Sequence, residues 1–279
     1  MYVTRIDFFD PGKTADSGQA FRIHRIDDTH VETVALGRYL QIASMPEKNT
    51  YAFSCSREEF ESVWRDYMDI GTDYDAVVKG IDENDGFLRA AAEYGYGIRI
   101  LKQEPFETII SYIISQRRSI PSITTCVDRL SETAGSRIEL PELKEPFVKP
   151  LKNDYYAFPT IRQAAKLTSS QLDRIGAGYR TPYILSAVRD FDSGKLIPEK
   201  MGELNDDELY EVLMSMYGVG VKVANCSMLF GFHRVGRFPV DVWIKRIEDT
   251  RYNGHFPAER YPGTAGILQQ FMFYYIRNL

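Results

Sequence analysis

Over the first 55 residues, apolar and polar positions follow one another in short, β-compatible runs. Met1–Phe9 alternates and is rich in β-formers, and Pro11–Gly12 reads as the turn that closes it. Phe21–Ile26, His30–Leu36 and Arg38–Ser44 are three further runs, parted by Asp/Gly clusters. Ser56 then opens a helix. Ser56 with Glu59 has the spacing of a capping box, and Phe60, Val63, Trp64 and Tyr67 recur at helical intervals. From about residue 100 the helical period dominates. Glu104–Pro105 starts a segment with Phe106, Ile109, Ile110 and Ile113 on one face, and Pro159–Thr160 starts another. Thr168 with Gln171 caps a short helix that Gly176 stops. Asn205 with Glu208 caps the next, whose stripe is Leu209, Val212, Leu213 and Met216 and whose end is Gly218. One more helix is expected from near Val221 to the Phe232–Gly236 loop, one after Pro239, and a closing helix over Ala265–Arg277. The architecture predicted is α+β: a small antiparallel β-sheet domain over residues 1–100, with a helix or two, and a mostly helical domain over residues 101–279.

Composition adds a globular core and removes several chemistries. Of 279 residues, 44% are apolar and 26% charged, which suits a folded protein rather than a disordered one. Cys55, Cys126 and Cys226 are widely spaced, so a four-cysteine zinc or iron–sulfur site within this chain is excluded. The four histidines show no ligand spacing. No apolar leader and no run of 18 apolar residues is present, so a soluble protein of a reducing, cytoplasmic compartment is expected. The net charge of -5 argues at first against nucleic acid, since a basic domain is the usual footprint. The charge is uneven, however. Residues 1–100 carry 11 basic and 18 acidic side chains, whereas Tyr217 to Ile247 carries five basic residues and only Asp241 as an acid.

That basic window holds the most informative stretch, Met216-Tyr-Gly-Val-Gly-Val-Lys-Val-Ala-Asn-Cys226. Two glycines between two amphipathic helices form a helix–hairpin–helix pattern. Glycines let the backbone turn tightly and bring its N–H groups close to an anion, and the second helix adds the positive end of its dipole. The pair suits one DNA phosphate. A dinucleotide fingerprint would need a preceding strand and a third glycine, but position 223 is Val. A P-loop would need Ser or Thr after Lys222. Lys222 falls in the first turn of a helix, where a cation opposes the dipole, a placement that hints at function or at a depressed pKa. Downstream, Phe238-Pro-Val-Asp-Val-Trp243 puts Asp241 just before a helix. An N-cap role there, worth about 1 kcal/mol, is compatible with a catalytic one.

The arrangement GVGVK…FPVDVW resembles the helix–hairpin–helix DNA glycosylases, the Gly/Pro…Asp superfamily, and more closely the 8-oxoguanine DNA glycosylase/AP lyase family in its bacterial type. Ser17-Gly-Gln-Ala-Phe-Arg22 is similar to that family's SGQ-x-FRW segment. Phe106 to Ile120 is similar to its helix entering the lesion wedge, and Phe158-Pro-Thr160 and Gly178-Tyr-Arg180 also match. The resemblance implies a bifunctional base-excision enzyme that flips 8-oxoguanine from duplex DNA, excises it through a Schiff base, and cuts the strand by β-elimination. Lys222 would be the nucleophile and Asp241 the essential carboxylate. Burial and the helix N-terminus would both favour the neutral amine. Gly18 would read the extra N7 hydrogen of the lesion with its backbone carbonyl. Cys226 would lie under the base and Phe273 over it, while Gln269 would read the Watson–Crick edge. Extra residues in Tyr261–Gly266 leave Gln270 as the competing reader.

Tyr179 and Arg180 match the wedge and estranged-base contacts. Arg117 stands where vertebrate enzymes place an Asn, and Ser122 where they place a second Arg, so Arg117 or Arg118 is expected at the opposite base with relaxed selectivity. Phosphates would meet the hairpin at Gly218, Gly220 and Val223, and the region of Trp243 and Lys245. The resemblance implies no required cofactor, apart from a monovalent cation that the hairpin carbonyls could hold. It implies double-stranded DNA with oxidised guanine as partner, a monomeric state, no membrane, and a place at the nucleoid. The alternatives are a related glycosylase for another damaged base and a catalytically silent helix–hairpin–helix DNA-binding module, which the joint presence of Lys222 and Asp241 disfavours.

Overall fold

A computed structural model describes residues 1–279. Five antiparallel strands form the N-terminal sheet: β1 (Tyr2–Arg5), β2 (Ile23–Arg25), β3 (His30–Ala35), β4 (Arg38–Ser44) and β5 (Thr50–Phe53), in the order β1-β5-β4-β3-β2. The β3–β4 hairpin turns through Leu36 and Gly37, both at positive φ, the two-residue loop whose twist suits paired strands. Pro11–Gly12 does not close a turn. Asp10 accepts a hydrogen bond from the Lys13 amide at 2.9 Å, and Pro11 occupies the first position of a helix, Pro11–Asp16. Proline lacks the donor that a first-turn residue cannot use anyway, so it serves a helix start as readily as a turn. The Ser56 hydroxyl caps the next helix through the Glu59 amide, but the reciprocal half of the capping box is missing. The Glu59 carboxylate instead accepts from the Trp64 indole and faces Arg38.

The remainder is helical, apart from a two-stranded ribbon of β6 (Arg137–Ile138) and β7 (Tyr155–Tyr156). The helix Pro105–Ser115 is its axis, buried along nearly its whole length. Both halves of the capping boxes at Thr160/Gln163, Thr168/Gln171 and Asn205/Glu208 form, and Ala265–Arg277 is the closing helix. The α+β architecture is as the pattern predicts.

The cores do not part at residue 100. Helices Tyr74–Lys79 and Gly86–Tyr94 send Tyr74, Leu88, Ala91 and Ala92 into the larger core with Ile109, Ile113, Phe271 and Met272, and Phe8 and Phe21 join them. The packing is close: a Cβ on Gly95 would come within 2.8 Å of the Phe271 ring. The smaller core gathers Leu40, Ile42, Phe53, Phe60, Trp64 and Met68 between the sheet and the helical turns that follow it. The helix Gly86–Tyr94 thus buries its apolar stripe against the C-terminal helix rather than the sheet. The buried Arg99 guanidinium clips the two regions together, donating to the carbonyls of Asp7, Phe8, Asp69 and Thr72.

Candidate active site

The helix Asp206–Ser215 ends at Met216, and the chain reverses through Gly218 at φ +83°, a conformation that favours glycine. A Cβ there would also strike the Tyr183 ring at 2.2 Å. Gly220 then caps the helix Val221–Cys226 with no side chain over its first turn, and the space beside it is open. The amides from Gly220 to Val223 are therefore presented outward, while the Val223 side chain is buried. Lys222 lies in this first turn and makes no ion pair. Its Nζ sits 5.3 Å from the centre of the Tyr112 ring.

Asp241 is the N-cap of the helix Val242–Arg251. Its Oδ1 accepts from the amides of Trp243 at 3.0 Å and Ile244 at 2.9 Å. The cap fixes the carboxylate, and Oδ2 takes no hydrogen bond from the protein. Asp241 and Lys222 both line a cleft of about 1210 Å³ and a recess of about 50 Å³ that shares its wall.

The recess gathers Gly18, Cys226, Gln269, Gln270 and Phe273, with Tyr112, Phe230 and Pro239 completing it. Gly18 has φ +75°, and a Cβ on it would fall 2.7 Å from Ile120 and 3.4 Å from Phe273. Its loop is held on both sides. The Gln19 side chain bonds Ser17 Oγ, the Arg99 carbonyl and the Leu101 amide, while the Gln19 carbonyl accepts from Gln103 and from the Tyr112 hydroxyl. Burial pushes the Cys226 thiol up to about 12, so it stays a neutral, polarisable surface near neutral pH. Burial likewise holds the Tyr112 hydroxyl protonated, well above the usual phenol range. The two glutamines differ. Gln270 donates to the Ser17 carbonyl at 2.7 Å, whereas the Gln269 side-chain oxygen is buried without a partner.

Six cationic side chains line the cleft, Lys222, Arg117, Arg118, Lys245, Arg246 and Arg277, against the carboxylates Asp241 and Asp249. The positive field is thus assembled from distant parts of the chain. Within the basic window, Arg234 and Arg237 are drawn off to Asp206 and Asp207, and Lys245 is paired with Asp249 at 2.9 Å. Trp243 is partly exposed at the cleft wall. Tyr179 and Arg180 stand beside the cleft rather than in its lining. Arg180 is buried, bonded to the carbonyls of Gln116 and Ala177, and stacked on the exposed Tyr179 ring. Arg118 is tied to the Gly176 carbonyl, while Arg117, at φ +54°, is exposed and unpaired. Ser122 lies outside the cleft lining. Tyr112, Arg246 and Arg277 carry no local motif. The one signal for Tyr112 is a hydroxyl-bearing ring among four isoleucines, Ile109, Ile110, Ile113 and Ile114.

Comparison with known proteins places the chain in a family by sequence and fold. The family model described as the 8-oxoguanine DNA glycosylase N-terminal domain matches residues 2–109. The N-glycosylase/DNA lyase of Saccharomyces cerevisiae is 35% identical over 172 residues, 56% of this chain and 42% of the yeast protein. A probable N-glycosylase/DNA lyase of Methanothermobacter thermautotrophicus is 27% identical over 201 residues, 65% of this chain and 64% of the archaeal one. The chain thus spans less than two thirds of these curated relatives. The crystal structure of Clostridium acetobutylicum 8-oxoguanine glycosylase/lyase, in complex with double-stranded DNA containing cytosine opposite 8-oxoG, superposes with a TM-score of 0.88. It is 31% identical, with 99% of this chain and 94% of that one covered.

Proposed function

The chain belongs to the 8-oxoguanine DNA glycosylase/lyase family, and on that footing we propose that it excises 8-oxoguanine from duplex DNA and then cuts the strand at the abasic sugar. The observation that carries this reading is the position of Lys222 and Asp241, which line both a cation-walled cleft and the recess that opens off it. A chemically silent DNA-binding module would have no use for an amine and a carboxylate lining both the cleft and the recess.

In this reading the duplex lies along the cleft and the oxidised nucleotide leaves the stack. The uncapped amides from Gly220 to Val223 hold one phosphate. In the recess, the Gly18 carbonyl accepts the N7 hydrogen that guanine lacks. The free Gln269 amide meets the Watson–Crick edge, and the base stacks between the Cys226 thiol and Phe273. Lys222 Nζ attacks C1′ as a free amine, and the C1′–N9 bond breaks with its electron pair going to the base, which takes the proton that the alkylated amine sheds. The sugar ring then opens to the C1′ iminium, with O4′ taking a proton from water. Water accepts a C2′ proton, the C3′–O bond breaks with its pair going to the 3′ phosphate, and hydrolysis of the imine releases Lys222. Asp241, its orientation fixed by the helix cap, opposes the positive charge that develops on the sugar. The chemistry needs no cofactor beyond these side chains, and the substrate sets the place of action at the cell's DNA. No helix is long and apolar enough to cross a membrane.

Borohydride trapping tests the reading directly. The protein mixed with 8-oxoguanine duplex should yield a covalent adduct that Lys222→Gln abolishes. Absence of any adduct with the wild-type chain would overturn it.

A further inference from the structure

Arg277 is the last residue of the helix Ala265–Arg277, one turn beyond Phe273. A cation at a helix C-terminus is favourable in itself. The side chain leans back toward the N-terminus, over the residue four positions earlier. Its guanidinium lies 5.2 Å from the centre of the Phe273 ring, and its Nη1 is 3.3 Å from where a Cβ on Gly18 would be. It donates to no carbonyl and pairs with no carboxylate. Two neighbouring cations of the cleft are already engaged, Arg118 with the Gly176 carbonyl and Lys245 with Asp249. Arg277 is therefore an unpaired, planar, charged fork pinned by stacking at the junction of cleft and recess, next to Gly18 and Phe273.

We propose that Arg277 binds a phosphodiester that adjoins the extruded nucleotide. The inference rests on the glycosylase reading, because only a flipped nucleotide brings its backbone to the mouth of the recess. A guanidinium matches two phosphate oxygens at once, and its flat face can stay on Phe273 while its N–H edge turns to the anion. Stacking also limits the freedom the side chain would otherwise lose on binding. Arg277 is a positioning residue: it holds the backbone while the base enters, and it takes no part in the attack at C1′.

The test is the salt dependence of binding to a duplex with a non-cleavable tetrahydrofuran abasic site, read by fluorescence anisotropy with the full chain. Losing one phosphate contact should reduce the slope of log K against log salt by about 0.9 in Arg277→Gln and in Arg277→Met, with Arg277→Lys keeping the wild-type slope. Affinity at 0.1 M salt should fall roughly tenfold in the two neutral variants, as expected for one charge-assisted bond. An unchanged salt slope in the neutral variants would overturn the proposal. So would weaker excision of 8-oxoguanine with undiminished affinity for the tetrahydrofuran duplex, since that pattern belongs to a base contact. Failure of the broader reading looks different: the wild-type chain would itself form no borohydride adduct and show no preference for the abasic duplex.

Discussion

The Nζ of Lys222 lies 5.3 Å from the centre of the Tyr112 ring, and the hydroxyl of that same ring donates to the Gln19 carbonyl at 3.2 Å. One buried side chain thus touches both the proposed nucleophile and the loop that carries Gly18. The ring is itself backed by Phe230, stacked at 10° and 5.7 Å. Tyr112→Phe keeps the ring and should trap within about threefold of the wild-type rate. Tyr112→Leu removes the flat surface that positions the amine and should slow trapping roughly tenfold or more. Single-turnover borohydride trapping distinguishes the two. Equal losses in both variants would move the role from the ring to the hydroxyl.

Asp241 is expected to separate into two functions. Asn can cap a helix nearly as well as Asp, so Asp241→Asn should melt close to the wild-type temperature and still bind lesion DNA. Its excision rate should fall by about 10²–10³, the scale of a lost electrostatic stabiliser. Asp241→Ala should show the same catalytic loss and, in addition, about 1 kcal/mol lower stability in urea. Undiminished turnover in the Asn variant would remove Asp241 from the chemistry.

The adjacent glutamines should fail in opposite ways. Gln269→Ala removes an amide whose oxygen has no partner within the protein, so excision of 8-oxoguanine should drop while the fold holds. Gln270→Ala strips the donor from the buried Ser17 carbonyl and should cost about 1–3 kcal/mol of stability. Paired excision assays and denaturant melts read both effects. A stable Gln270→Ala with lost excision would exchange the two assignments.

Burial pushes the Glu107 carboxyl up to about 7, against the opposing pull of Arg22 at 3.9 Å. An acid whose pKa is raised on folding favours the folded state at low pH, and that contribution is lost as pH rises from the unfolded value through the folded one. Stability should therefore decline between about pH 5 and pH 8 by as much as roughly 3 kcal/mol from this group. Glu107→Gln should flatten that part of the profile. Urea titrations at the two pH values decide it, and a parallel decline in the variant would refute the assignment.

Selectivity for the base opposite the lesion is expected to be loose. Arg117 is exposed, unpaired and held at positive φ beside the cleft, and a flexible cation with several donors accepts more than one partner edge. Excision rates measured opposite each of the four bases should vary modestly. A collapse opposite every base except cytosine would contradict this.

Local signals made most of the helical part legible. Thr160, Thr168 and Asn205 announce their helices because a cap and its partner lie three residues apart, and Ala265–Arg277 follows from periodicity alone. Lys222 and Asp241 were legible for a similar reason, each sitting next to a glycine turn or a cap. Pro11 was ambiguous because the same fixed φ serves a turn and a first helical turn. Helices Tyr74–Lys79 and Gly86–Tyr94 are too short to show a clear period, and the partner of Gly86–Tyr94 lies about 180 residues further on. The same distance hides the cleft's charge. Arg246 and Arg277 carry no local signal and join Arg117 in one surface only after the chain folds.

The larger core draws Phe8 and Phe21 from the beginning of the chain and Phe271 and Tyr274 from its end. Excising the first hundred residues would therefore open a hydrophobic wound in the catalytic half, rather than releasing it as a working fragment. Sheet and helices should melt together in one calorimetric transition, and limited proteolysis should find no cut that leaves an active remnant. The recess, walled by Gly18 on one side and Phe273 on the other, then exists only while these two distant segments are interlocked.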